Sequence, residues 1–190
     1  PPSVTAATGF DAFTHAFESY LGGRTSPLTK QMSLQAIELV IDNLPKAIKE
    51  PNNIEYRTQL AWADTLAGMC LSNGGADLPH PLGEIIGGIC PRIAHGETLA
   101  MVYPSFLEYK KNITLDKFKE IAVFLGLKKD ASELSSKIIE LLNITELSNA
   151  SKRAELTQEE KNEILTHPLL TKLEPKNTDE IVSIMKKSII

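Results

Sequence analysis

Asp11 and His15 stand four residues apart in Asp11-Ala12-Phe13-Thr14-His15, and two further histidines, His80 and His95, lie in Pro79-His80-Pro81-Leu82-Gly83 and Ala94-His95-Gly96. The chain has 4 histidines, so this set takes all but His167. One carboxylate and three imidazoles are N and O donors suited to a borderline divalent metal such as Fe or Zn. A mononuclear site of that composition does Lewis-acid chemistry. Each residue also has a plainer reading. A helical pair four apart is often only a surface contact worth a few tenths of a kcal/mol. His80, between two prolines, sits in restricted backbone and could be a loop or core histidine. His95 could begin a helix with its ring turned inward, beside a glycine that leaves room for close approach. His167, in Leu165-Thr166-His167-Pro168, has no other candidate ligand near it and reads as a loop residue.

The elements that must position these groups read almost entirely as helix. Phe10, Phe13, Phe17 and Leu21 recur at steps of three and four, which makes residues 8–21 one amphipathic helix. Asp11 and His15 then share a face, with Glu18 three further on the same side. Ser26-Pro27 opens a second helix running to Pro45, and Asn53 caps a long third one from Ile54 to Leu71. Thr114, Asp130, Thr157 and Asn177 are later caps, with Glu160 and Glu180 at capping-box positions. Asn73-Gly74-Gly75 reads as a helix break, residues 143–156 as a loop or irregular turn, and the opening Pro1-Pro2 as a linker or loop. Strand signals are nearly absent, so the expected fold is all-α, a helical bundle. Gly74, Gly75, Gly83, Gly87, Gly88 and Gly96 cluster in otherwise helical sequence. Each costs ~1 kcal/mol in a helix relative to Ala, which suggests breaks, close contacts or room for a ligand.

Composition narrows the partners. The net charge is −4, with 6 Lys/Arg against 11 Asp/Glu in residues 1–109 and 14 against 13 afterwards, so neither part is basic enough to expect nucleic acid. No apolar run approaches the ~20 residues that cross a bilayer, so no membrane partner is expected. Cys70 and Cys90 form no disulfide framework and no zinc knuckle; they read as buried filler in a reducing cytoplasm. No phosphate-binding glycine loop is present.

On these residues the chain resembles the iron-containing (group III) alcohol dehydrogenases. The resemblance lies in Thr8-Gly9-Phe10-Asp11-Ala12-Phe13-Thr14-His15-Ala16-Phe17-Glu18-Ser19-Tyr20, in Leu71–His80, in Gly87-Gly88 and in Ala94-His95-Gly96-Glu97-Thr98-Leu99-Ala100. Asp179–Met185 is similar to the family's final helix. The match is dense to about Tyr109 and looser beyond.

The resemblance implies that Asp11, His15, His80 and His95 are the metal ligands. It implies one all-helical metal-binding domain over residues 1–190, the C-terminal domain of the dehydroquinate synthase-like and iron-containing alcohol dehydrogenase fold. The α/β domain that binds NAD or NADP lies outside this sequence. The implied function is the metal- and substrate-binding half of an enzyme interconverting alcohols and aldehydes. There Fe2+, or Zn2+ in some relatives, polarises the substrate oxygen while hydride passes to the nicotinamide. The implied partners are a small alcohol or aldehyde and the nucleotide-binding domain; without that domain an apolar face is expected to be exposed, and self-association through it, as a homo-oligomer, is expected too. By itself the chain is expected to be inactive. Where many members carry a second histidine four residues after the third ligand, this chain has Glu84, a candidate proton acceptor or substrate-orienting group, or a plain exposed acid. Two alternatives stay open: a dehydroquinate synthase-like lyase relative, and a non-catalytic helical module with structural histidines.

Overall fold

Ser26, Asn53, Asp130 and Thr157 each accept a backbone N–H of the turn that follows, and each begins a helix as the sequence predicts. The computed structural model describes residues 1–190 except Lys129 and Pro175. Its helices are α1 (Pro2–Leu21), α2 (Pro27–Lys49), α3 (Ile54–Gly74), α4 (Pro79–Ile89), α5 (His95–Ile113), α6 (Leu115–Phe124), α7 (Ala131–Ile144), α8 (Ala150–Ala154), α9 (Gln158–Leu165), α10 (Leu170–Leu173) and α11 (Thr178–Ser188). A single 3₁₀ turn, Leu147–Asn149, precedes α8. No strand occurs among the described residues, and no helix among them is long and apolar enough to cross a membrane.

Helix α1 is the axis of the bundle, packed by α2, α3 and α5. Phe10, Phe13 and Phe17 are fully buried, and all three meet Tyr103 of α5 at ring-centroid distances of 5.0–6.2 Å. Alanines at 6, 7, 12 and 16 are buried as well and let neighbouring helices approach closely.

Three local readings are corrected. Pro1-Pro2 is no linker: Pro2 is the first residue of α1, where a missing N–H costs nothing. Pro45 does not end α2, which runs on to Lys49, because Leu44 and Ala47 continue its buried face across the missing hydrogen bond. Residues 143–156 are not simply irregular: they hold the end of α7, the 3₁₀ turn and α8, hinged by left-handed Glu146 and Glu155. Asn73-Gly74-Gly75 is the expected helix break, with Gly75 at φ 80°. Thr114 and Asn177 occupy N-cap positions but make no side-chain cap bond. Cys70 and Cys90 are free and buried.

Helices α1 and α5 cross backbone to backbone at Gly96. A Cβ there would run into the Ala7 main chain, which cannot rotate away. Gly96→Ala is therefore expected to destabilise the protein by about 1–3 kcal/mol, the usual range for overpacking. The control is Gly88→Ala in α4, where a Cβ meets nothing within 4 Å. That change should stabilise by about 0.5–1 kcal/mol through helix propensity. Equal melting temperatures for the two variants would refute the close crossing.

Candidate metal centre

Asp11 and His15 project from the middle of α1, one turn apart. His80 is the second residue of α4, whose first turn holds Pro79 and Pro81. Those positions need no intrahelical N–H, so prolines that looked like loop formers instead start a helix and fix His80 in it. His95 is the first residue of α5, and the glycine after it permits the close crossing with α1. The four side chains converge. Asp11 Oδ1 lies 3.3 Å from His15 Nε2, 3.7 Å from His80 Nε2 and 3.7 Å from His95 Nε2. The His15 and His80 rings stack at 4.8 Å, and the His80 and His95 rings meet edge to face at 5.5 Å. Asp11, His80 and His95 offer donor atoms all within 4.8 Å of one another; His15 stands outside that mutual set and joins through Asp11. His167 is elsewhere, accepting the Leu169 N–H at 3.3 Å.

This arrangement fits a metal ion. Asp11 Oδ1 and His80 Nε2 are buried and have no hydrogen-bond partner among the described residues, although both face the same point. Buried polar atoms are rarely left so. Ligand atoms ~2.1 Å from a tetrahedral centre lie about 3.4 Å apart, close to the spacings around Asp11.

The electrostatics agree. Burial works to raise the Asp11 carboxyl, but contact with His80 and the imidazoles of His15 and His95 hold it below its ordinary value. Burial lowers His15, which favours the neutral ring a metal needs. Burial also works to lower His80, but the carboxylates of Asp11 and Glu18 outweigh it and push it up to about 10. A metal must then displace a proton from His80. Zn(II) affinity should rise by about tenfold per pH unit across pH 6.5–8.5, one proton's worth. The metal-free chain should move the other way. His80 binds its proton more tightly folded than unfolded, so its stabilising contribution is complete below about pH 6.5 and is lost towards about pH 10. Competition titrations and melting curves at three pH values check both trends; a pH-independent affinity contradicts them.

Two neighbours complete the description. Glu18 is fully buried and accepts the His80 Nδ1–H at 2.8 Å, which sequence spacing placed only on the correct side of α1. Glu84 lies on exposed α4 surface and makes no hydrogen bond or ion pair among the described residues. An open cavity of about 440 Å³ between α1 and α3, lined in part by Thr8, Gly9, Arg57 and Asp64, reaches Asp11.

The fold and the site together are an all-helical domain whose first helix brings a carboxylate and an imidazole to two more imidazoles. Residues 5–189 match the description "Fe-containing alcohol dehydrogenase family, C-terminal", and the chain belongs to that family. It is 35% identical over 130 residues to the 1,3-propanediol dehydrogenase of Citrobacter freundii, covering 68% of this chain and 33% of that protein. It is 34% identical over 149 residues to alcohol dehydrogenase 4 of Saccharomyces cerevisiae, covering 76% of this chain and 38% of that protein. A crystal structure of 1,3-propanediol oxidoreductase superposes with a TM-score of 0.86 at 28% identity, over 99% of this chain and 51% of that one. The chain thus spans about a third of the curated relatives it matches and about half of the solved structure.

Proposed function

We propose that Asp11, His15, His80 and His95 hold one divalent metal, Fe2+ or alternatively Zn2+, and that this is the metal and substrate side of an NAD(P)-dependent alcohol dehydrogenase. The observation that carries the reading is the pair of buried, unpartnered donors, Asp11 Oδ1 and His80 Nε2, ringed by the other two imidazoles. The bound metal would supply Lewis-acid polarisation of an alcohol or aldehyde oxygen. The chain's own residues do the rest of the work at this side. Asp11, ionised, brings the single negative charge among the donors. The three imidazoles bring neutral nitrogens held by three different helices. The cavity at Asp11 admits a small molecule. The nicotinamide is held by a nucleotide-binding domain outside residues 1–190, consistent with relatives about twice this length.

Metal titration of the stripped protein tests the first part. Fe(II) or Zn(II) should bind one per chain and raise the melting temperature; no binding and no shift would leave a module with structural histidines. The second part is tested with a panel of short alcohols, NAD and NADP. The metal-loaded chain alone should reduce neither nucleotide, and turnover above the metal-only background would overturn the division of labour. Glu84, exposed one turn after His80, is read as a proton acceptor or substrate-orienting group of the longer protein. Glu84→Gln in that protein should alter the pH–rate profile; an unchanged profile leaves Glu84 an ordinary helix acid.

A further inference from the structure

Glu18 is an expensive residue for a helical core. It is 0% exposed, and burial pushes its carboxyl up to about 7. Its Oε2 accepts two hydrogen bonds, from His80 Nδ1–H at 2.8 Å and from the Asp77 backbone N–H at 2.8 Å. Among the described residues its Oε1 meets no donor in hydrogen-bond geometry, although the buried Tyr103 hydroxyl, also without a partner there, lies nearby. A core chosen for stability alone would put an apolar residue there, since buried ion pairs are often no better than well-packed hydrophobic side chains. Rules of this kind are broken mainly at functional sites.

The geometry explains the exception. A histidine ring binds a metal through one nitrogen, and the hydrogen bond made by the other decides which nitrogen that is. Here Nδ1 donates to Glu18 at 2.8 Å, so Nε2, 3.7 Å from Asp11 Oδ1, is the nitrogen that a metal would take once it displaces the second proton. Glu18 is itself held. The Asp77 main chain donates to it, and the Asp77 carboxylate pairs with Lys110 of α5. Glu18 therefore ties together α1, the α3–α4 connection and the start of α4.

We propose that Glu18 is a positioning residue for the metal centre: by accepting the Nδ1–H it fixes the His80 tautomer and ring orientation so that Nε2 is presented to the metal. The assignment rests on the four-ligand reading above. It goes beyond that reading because Glu18 touches no metal and would be silent in any ligand count.

Two variants of the full chain separate the outcomes. Glu18→Met is apolar, similar in length, and removes the acceptor. Glu18→Gln keeps a carbonyl acceptor for both N–H groups without the charge. Zn(II) affinity is measured by competition with a chromophoric chelator. The His80 tautomer in the Zn(II)-loaded chain is read by long-range ¹H–¹⁵N correlation. Glu18→Met should weaken Zn(II) binding by about 10–100-fold, the usual cost of losing an outer-sphere partner. Glu18→Gln should recover most of that loss. Wild type should show His80 protonated at Nδ1 and Zn(II)-shifted at Nε2. The proposal is overturned if Glu18→Met binds Zn(II) as tightly as wild type, if Gln and Met lose equally, or if wild-type His80 carries its proton on Nε2. Should Glu18→Met fail to fold, the wild-type tautomer and the Gln variant still decide. Wild-type chain that binds no Zn(II) at all refutes the four-ligand reading and this assignment with it, whereas binding that survives Glu18→Met refutes this assignment alone.

Discussion

His80→Ala should reduce Zn(II) affinity at pH 7.5 by more than the ~10–100-fold that loss of an outer-sphere partner costs, because it deletes a donor and its orienting contact together. The same substitution should destabilise the metal-free chain. It strands Glu18 as a buried carboxylate whose other hydrogen bond is a single backbone N–H. Removing one member of a buried charged pair costs about 3–5 kcal/mol. The stability of that variant depends on pH in a defined direction. Glu18 already binds its proton more tightly folded than unfolded, with its value raised to about 7. Without His80 it rises further, so the folded variant is most stable when Glu18 is neutral and loses stability as pH climbs from about 4.5 through that raised value. His80→Ala should therefore melt at a progressively lower temperature from pH 5 to pH 8. A variant whose melting temperature stays flat over that range would mean that Glu18 is not the group left behind.

Phe13→Ala is the second large expected effect. Phe13 is fully buried, stacked on Phe10 and Phe17 at 5.7 and 5.4 Å and edge-on to Tyr103 at 6.1 Å. Truncating such a side chain costs about 3–5 kcal/mol, transfer and cavity together. For a domain of this size each kcal/mol moves the melting point by about 2–4 °C, so the expected drop is about 6–20 °C. Phe13 lies between Asp11 and His15 on α1, so saturating Zn(II) should return part of the loss by mass action. Trp62→Ala is the comparison: Trp62 is 47% exposed on α3, and its loss should move the melting point by a degree or two at most. If the two variants melt together, the aromatic stack is not the centre of the core.

Much of this was legible in the sequence because it is local. The phenylalanine stripe, the Ser26, Asn53, Asp130 and Thr157 caps and the Asp11/His15 spacing all depend on residues within one or two turns. The all-α architecture follows from them. What was not legible depends on distant partners. Glu18 shares a face with Asp11 and His15, but its significance comes from His80, 62 positions away. Pro79 and Pro81 restrict backbone in a loop and in a first helical turn alike, so their helical role appeared only once Asp77 and Leu78 were seen to lead into α4. Pro45 marks a helix end by local rules, because the penalty of a missing hydrogen bond is local, whereas the buried contacts of Leu44 and Ala47 that override it are not. Gly96 was expected to allow close approach, but only the structure shows that the Ala7 main chain is what approaches.

The chain positions of the four convergent residues have a mechanical consequence. Two come from the first helix and two from the fourth and fifth, so an ion held among them would work as a removable clasp across at least the 65 positions from His15 to His80. A permanent cross-link over such a span removes about 4 kcal/mol of chain freedom from the unfolded state. Helices α6 to α11 lie outside the clasped stretch. Loading and stripping the ion should therefore reset amide-exchange lifetimes in α1 to α5 while leaving those of α9 and α10 nearly as they were, and the free-ion concentration becomes the dial that sets how long the N-terminal half stays shut.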